Sequence, residues 1–222
     1  MSAVTSPTEL TTSATDAVLA VECVVIATRL WRDATVNRRR VLLWCWIFGL
    51  LSFSSLLGAI VHGFTMENWI RQALWKPLYL SLGVLISLFV VGAVHDWRGQ
   101  TVAGHLVPWA IGAGVVFYGL TEFASGAFII FVAYEAAVML SALTIYSFLA
   151  ARRQLRGAWI IVLGIVLNLA AAGIQASRLS IQTPLPLDHN GLFHVVQMVA
   201  LATLARGVRR GMDQSQLNRE PV

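Results

Sequence analysis

The sequence predicts an all-α integral membrane protein, a bundle of seven transmembrane helices with its N-terminus outside and its C-terminus in the cytoplasm. Three observations carry this expectation. Hydrophobic residues fill 57% of the 222 positions and charged residues only 12%, against roughly 25% charge in a soluble domain. Apolar stretches long enough to cross about 30 Å of hydrocarbon recur along the chain. None of them alternates at period two over about ten residues, so helices rather than a closed barrel must satisfy the backbone in lipid.

The spans follow in order. Residues 1–11 read as a polar tail, 12–206 as the seven-helix domain and 207–222 as a second, cytoplasmic tail. Within the domain the apolar windows cover residues 12–31, 41–62, 72–94, 105–120, 125–150, 157–175 and 188–205. A proline-bearing loop, Thr183-Pro184-Leu185-Pro186, precedes the last. The turn between the fourth and fifth windows, Thr121 to Gly126, is the tightest, and a six-span alternative would merge them at the expense of the charge asymmetry. The N-terminus has no basic region ahead of its apolar run, so the first span is expected to stay in the mature chain. Cys23 and Cys45 lie in or beside apolar windows, and no disulfide is expected.

Orientation comes from basic residues, which are retained on the cytoplasmic side of short loops. Thirteen of them, Arg29, Arg32, Arg38, Arg39, Arg40, Arg98, Arg152, Arg153, Arg156, Arg206, Arg209, Arg210 and Arg219, fall on one side, and only Arg71, Lys76 and Arg178 on the other. Trp69 and Trp75 at one boundary and Trp31, Trp97 and Trp159 at the other match aromatic belts. The net charge of +5 therefore reports topology rather than a nucleic-acid partner. The partner is the bilayer itself, the plasma membrane or a bacterial inner membrane, crossed many times.

Ionisable groups within spans are functional candidates because lipid makes them costly. At 1.5 Å per residue, Asp16 lies roughly 22 Å above the boundary at Trp31, in the outer leaflet, and Glu22 roughly 13 Å above it. His62 ends the second span at the outer side, and Asp188, His189, Asn190 and His194 begin the seventh there. Ser55 and His62 are seven residues apart and share a helix face, with Gly58 between them leaving room for a ligand or a close helix contact. Asn190, His194 and Gln197 form a polar stripe at helical spacing, whereas His189 stands about 140° from His194 unless Asp188 caps the helix and leaves His189 on a looser first turn. For His62 and His194 to meet, spans two and seven must be neighbours. Imidazoles with a carboxylate are the ligand set of a catalytic zinc that keeps one position open for water. The bland alternative is interfacial histidines satisfied by water and headgroups. Deeper, Glu22, Glu135 and Asn168 fall near the midplane, where they serve either as packing contacts or as a proton relay. His95, Asp96 and His105 flank a cytoplasmic loop and read as solvated. Lys76, the only lysine, lies outside the seventh span, against a retinal Schiff base.

The segment Asp188-His189-Asn190-Gly191-Leu192-Phe193-His194, taken with Ser55 and His62, resembles the pattern of the CREST superfamily of seven-helix membrane hydrolases. That group includes the alkaline ceramidases, the progestin and adiponectin receptor family and GPI-lipid remodelling proteins. The resemblance implies His62 and His194 as zinc ligands, with His189 beside them, and Ser55 as a site serine. Asp16, Glu67 or Asp188 would stand in for the family's third-span aspartate. It implies a metal-dependent hydrolase of a lipid amide or ester at the outer leaflet, whose zinc-bound water attacks the carbonyl. The competing expectation is a proton-coupled small-molecule transporter or receptor without catalytic activity, built on Glu22, Glu135 and Asn168.

The charge asymmetry makes a direct prediction. A reporter fused after Val222 should be active only in the cytoplasm and one inserted near Pro184 only outside; the reverse pattern would invert the whole assignment.

Overall fold

A computed structural model of the chain describes residues 2–32, 37–123, 127–177, 179–181 and 185–217. The apolar windows form seven helices: α1 (Pro7–Arg32), α2 (Arg38–Gly63), α3 (Asn68–Arg98), α4 (Gln100–Phe123), α5 (Ala127–Ala151), α6 (Ala158–Gln175) and α7 (His189–Leu217). All seven are long and apolar enough to cross a membrane, and the chain is a multi-pass bundle. The fourth and fifth spans are separate helices, so the six-span alternative does not hold. Two short strands, β1 (Ser2–Ala3) and β2 (Phe64–Thr65), pair antiparallel and tie the start of the chain to the link between α2 and α3. Several helices outrun their hydrophobic windows. α1 starts at Pro7, inside the stretch read as a tail, and α3 runs on to Arg98. Hydropathy marks the part of a helix that lipid solvates, and the backbone ladder continues past it into polar surroundings.

Six helices close a ring, and the seventh stays outside it. α1 packs on α2, α2 on α3, α3 on α5, α5 on α6, α6 on α7, and α7 back on α1. α4 packs on α3 and α5 from outside and turns Trp109 and Val116 outward. It reverses from α3 through a single residue, Gly99, whose φ of +87° is open to glycine but strained for other residues.

The α1–α2 pair shows how sequence spacing sets a helix contact. Ser13 Oγ donates to the Ala59 carbonyl at 2.7 Å, Ser52 Oγ to the Ala20 carbonyl at 2.9 Å, and the Cys45 thiol to the Ala27 carbonyl at 3.4 Å. Positions 13, 20 and 27 on α1 thus meet 59, 52 and 45 on α2, a seven-residue repeat read in opposite directions. Such a repeat keeps one seam facing its partner, and small polar residues let the backbones approach and hydrogen-bond across it.

At the end of the ring where α2 starts and α3 finishes, the expectation of solvated groups is corrected. The Asp96 side chain is only 2% exposed. Arg40 Nε lies 2.6 Å from Asp96 Oδ1 and Nη2 lies 2.7 Å from Oδ2, a bidentate pair. Tyr146 Oη of α5 donates to Asp96 Oδ2 at 3.1 Å, and Arg40 Nη1 to the Val208 carbonyl of α7 at 3.3 Å. The His95 ring is buried alongside, its Nδ1 3.5 Å from Asp96 Oδ1. Arg40, which the sequence offers as one more flanking charge, therefore bolts α2, α3, α5 and α7 together. His105 is exposed, as expected. The tryptophans divide too. Trp31, Trp69, Trp97 and Trp159 are exposed at the helix ends, whereas Trp75 turns inward and stacks on Tyr79 with ring centroids 5.5 Å apart.

Removing one partner of a buried pair leaves a charge without compensation, so Arg40→Met or Asp96→Leu alone should destabilise the bundle by about 3–5 kcal/mol. The double variant should lose clearly less than the sum. Unfolding in micelles measures both, and additive losses would mean that the two side chains do not act as a pair.

Candidate functional site

The ring encloses a cavity of about 400 Å³, a volume within the range of small-molecule sites. All six ring helices line it, and α4 contributes no lining residue among those described. The lining is two-part. Near the N-terminal end of α1 it is polar, with Asp16, Ser55, His62, His189, His194 and Gln197. Farther in, toward Ile47 and Leu204, it is apolar except for Glu135 and Asn168.

The polar end is organised by α1, which lies between α2 and α7. His194 is held by both ring nitrogens: Nδ1 lies 3.0 Å from Thr15 Oγ1 and Nε2 lies 3.3 Å from Asp16 Oδ1. Asp16 is buried because Gly58 on α2 makes room for it. A Cβ built at Gly58 would sit 2.7 Å from Asp16 Oδ2, so the gap between Ser55 and His62 is filled by a carboxyl group of this chain. His62 Nδ1 lies 2.7 Å from Glu9 Oε2, and its ring meets Trp75 edge-on with centroids 6.1 Å apart. Asp188 caps α7, accepting from the backbone N–H groups of Asn190 at 3.0 Å and Gly191 at 2.9 Å. It also accepts from Thr12 Oγ1 at 3.1 Å, which docks the cap against α1. Thr11 Oγ1 donates to the Pro186 carbonyl at 2.6 Å and adds a second tie to the same segment.

Most residues singled out from the sequence therefore gather around one cavity. Ser55, His62, Asp16, His189 and His194 all line it, and so does the full stripe Asn190, His194 and Gln197. Asp188 lies at its edge as a structural cap, while Glu67 turns away, accepting from Trp69 Nε1 at 2.5 Å on the exposed surface. The expected direct packing of spans two and seven is corrected: α1 lies between them and packs on both. Among the described residues no group of three or more His, Cys, Asp or Glu side chains could hold a metal, and His194 already spends both nitrogens on Thr15 and Asp16.

Two participants escape the sequence reading, Glu9 and Thr15. Glu9, Thr12, Ser13 and Asp16 follow i, i+3, i+4, i+7 and form a polar face on α1. The polar tail drawn over residues 1–11 excludes Glu9, the first member of that face.

In the deeper layer, Asn168 Nδ2 of α6 donates to Glu135 Oε1 of α5 at 3.0 Å. Both residues are buried and both face the cavity. Glu22, expected in the same layer, is not among the lining residues, and its Oε2 is buried without a hydrogen-bond partner.

The Gly58 contact gives a prediction. Gly58→Ala should push the Asp16 carboxyl off His194, at an overpacking cost of about 1–3 kcal/mol. In protein labelled with nitrogen-15 at histidine, Gly58→Ala and Asp16→Asn should move the His194 ring signals in the same sense and leave those of exposed His105 in place. An unmoved His194 in Gly58→Ala would contradict the contact.

No curated protein and no solved structure matches the chain. Residues 11–213 match one family model, a stretch that begins in the first turns of α1 and runs through the apolar part of α7. The chain belongs to that family of unknown function, DUF6962.

Proposed function

We propose that this protein binds a small apolar or amphipathic molecule in the cavity enclosed by its helix ring, and acts as a transporter or receptor without catalytic chemistry. The observation that carries the reading is the cavity itself. It is walled by apolar and aromatic side chains from six helices and carries a few polar groups, the composition of a ligand site rather than of a packed core. His194, Asp16 and one nitrogen of His62 have protein partners, which favours binding over a site that must present free metal ligands or an activated nucleophile. With the basic residues assigned to the cytoplasm, the polar end of the cavity lies toward the outer leaflet, where an amphiphile enters with its head at the collar and its body between the helices.

Metal-dependent hydrolysis of a lipid amide or ester is the second reading. It is favoured by the convergence of Ser55, His62, His189 and His194 on the same cavity and by the resemblance to the CREST hydrolases. Metal content separates the two. Stoichiometric zinc in purified protein, lost in His62→Gln or His194→Gln, would put hydrolysis first.

Binding can be tested with a compact neutral probe, 1-adamantanol. If the cavity takes it, an excess of about 100 times Kd should stabilise the folded protein by about 2.7 kcal/mol. The effect should saturate and should vanish in Ala200→Trp, which fills the cavity from α7. A stabilisation that never saturates, or that survives Ala200→Trp, would count against a cavity ligand.

A further inference from the structure

Phe131, Glu135 and Met139 fall at i, i+4, i+8 on α5, and all three line the cavity, so Glu135 sits on the inward face of its helix. Its carboxyl group is half used. Asn168 donates to Oε1 and fixes the plane of the group. Oε2 is buried and has no hydrogen-bond partner in the protein, in a residue only 4% exposed. A second acceptor in the cavity wall, Gln175 Oε1 on α6, is likewise buried and without a partner. Buried acceptors are rarely left so, because a lost hydrogen bond leaves the desolvation of the group uncompensated. Two unpaired acceptors on residues that line one cavity call for a ligand that brings donors.

The charge of the wall narrows the donor. Among the described residues that line the cavity, none is Lys or Arg, and the two carboxyl groups are Asp16 and Glu135. Six aromatic rings line it as well, Phe48, Trp75, Tyr79, Phe89, Phe131 and Phe193. Aromatic faces attract cations, most strongly where water is excluded. An anion would meet carboxyl groups and ring faces with no fixed cation to receive it. A neutral alcohol would use one donor and gain little from the rings. An ammonium group matches every feature: three donors, a positive charge opposite a carboxylate, and a cationic head among aromatic faces.

We propose that the ligand is a hydrophobic amine, whose protonated nitrogen pairs with Glu135 Oε2 while its apolar body lies among the aromatic and aliphatic walls. The inference rests on the reading of the cavity as a small-molecule site and adds the chemical class of what enters it. Glu135 is then the recognition residue, and Asn168 a positioning residue that holds its free oxygen toward the ligand.

Three probes that share one body and differ only in the head test the proposal: 1-adamantanamine, 1-adamantanol and 1-adamantanecarboxylate, titrated onto the full chain in lipid nanodiscs with empty nanodiscs as the blank. The amine should bind tightest and the carboxylate weakest. A charge-assisted hydrogen bond in a buried site corresponds to about 10- to 100-fold in affinity, which is the expected lead of the amine over the alcohol. Glu135→Gln keeps the shape and the bond from Asn168 but removes the charge. It should erase that lead, since the ammonium loses its opposite charge whereas the alcohol still finds a carbonyl oxygen to donate to. Saturable binding of all three probes with the amine not preferred, or an amine preference that survives Glu135→Gln, would overturn the amine proposal and leave the cavity reading standing. Saturable binding of none would overturn both. If Glu135→Gln does not fold, the head-group order on the unsubstituted protein decides alone.

Discussion

The bidentate pair between Arg40 and Asp96 is the contact on which the ring depends. A guanidinium and a carboxylate, both withdrawn from solvent, must be matched almost group for group, and here they are: two parallel N–H···O bonds, a phenol from Tyr146 on the carboxylate and the Val208 carbonyl on the remaining guanidinium edge. Those partners come from α2, α3, α5 and α7, four of the six ring helices. Breaking one leaves the others exposed to an uncompensated charge, so the four helices are held as a unit. The last lining residues on α2 and α7, Ile47 and Leu204, lie roughly 10 Å and 6 Å along their helices from Arg40 and Val208. The pair therefore closes one end of the ring, and the space left open lies beyond it.

At the opposite end the helices are held by many modest bonds in place of one strong pair. Thr11 and Thr12 tie α1 to the segment before α7. Ser13 ties it to α2, and Asp16 and Thr15 hold His194. Hydroxyl and imidazole contacts of this kind are worth little each within a membrane, and the end they build is correspondingly easier to open than the bolted one. The histidines that stand out in the sequence are mostly occupied in holding this polar rim. One buried acceptor without a protein partner, Glu135 Oε2, lies deeper, and another, Gln175 Oε1, belongs to the last residue of α6. The residues that draw attention are thus the ones that build the polar rim.

α4 has a different part. It packs on α3 and α5 without lining the cavity, and it thickens the wall where Tyr134 of α5 bonds to Ser87 and to the Gly83 carbonyl of α3. Phe117 of α4 stacks on Tyr134 with ring centroids 4.6 Å apart, which braces that bond from the outside. Glu135 is the next residue on α5, and Phe117 also meets the cavity-lining Phe131 with ring centroids 6.3 Å apart, so the outer helix supports the cavity wall through both contacts.

Composition and periodicity alone determine that this chain crosses a membrane on seven helices, because the length of an apolar run and the satisfaction of its backbone are local matters. Helical phase likewise determines which residues share a face: the stripe Asn190, His194 and Gln197, the pair Ser55 and His62, and the cap at Asp188 all lie where spacing puts them. Which face meets which neighbour is not local. Nothing in the runs themselves says that α1 separates α2 from α7, that Trp75 turns inward, or that Glu22 stands apart from Glu135 while Asn168 joins it. Those outcomes follow from closing six helices into a ring, where the rotation of each helix is set at once by its neighbours on both sides. The same closure turns Arg40 and Asp96, two charges that read as loop flanks 56 positions apart in the chain, into the pair that holds the ring. Tertiary structure alone decides that, because the stability of a buried charge depends on a partner that no local pattern specifies.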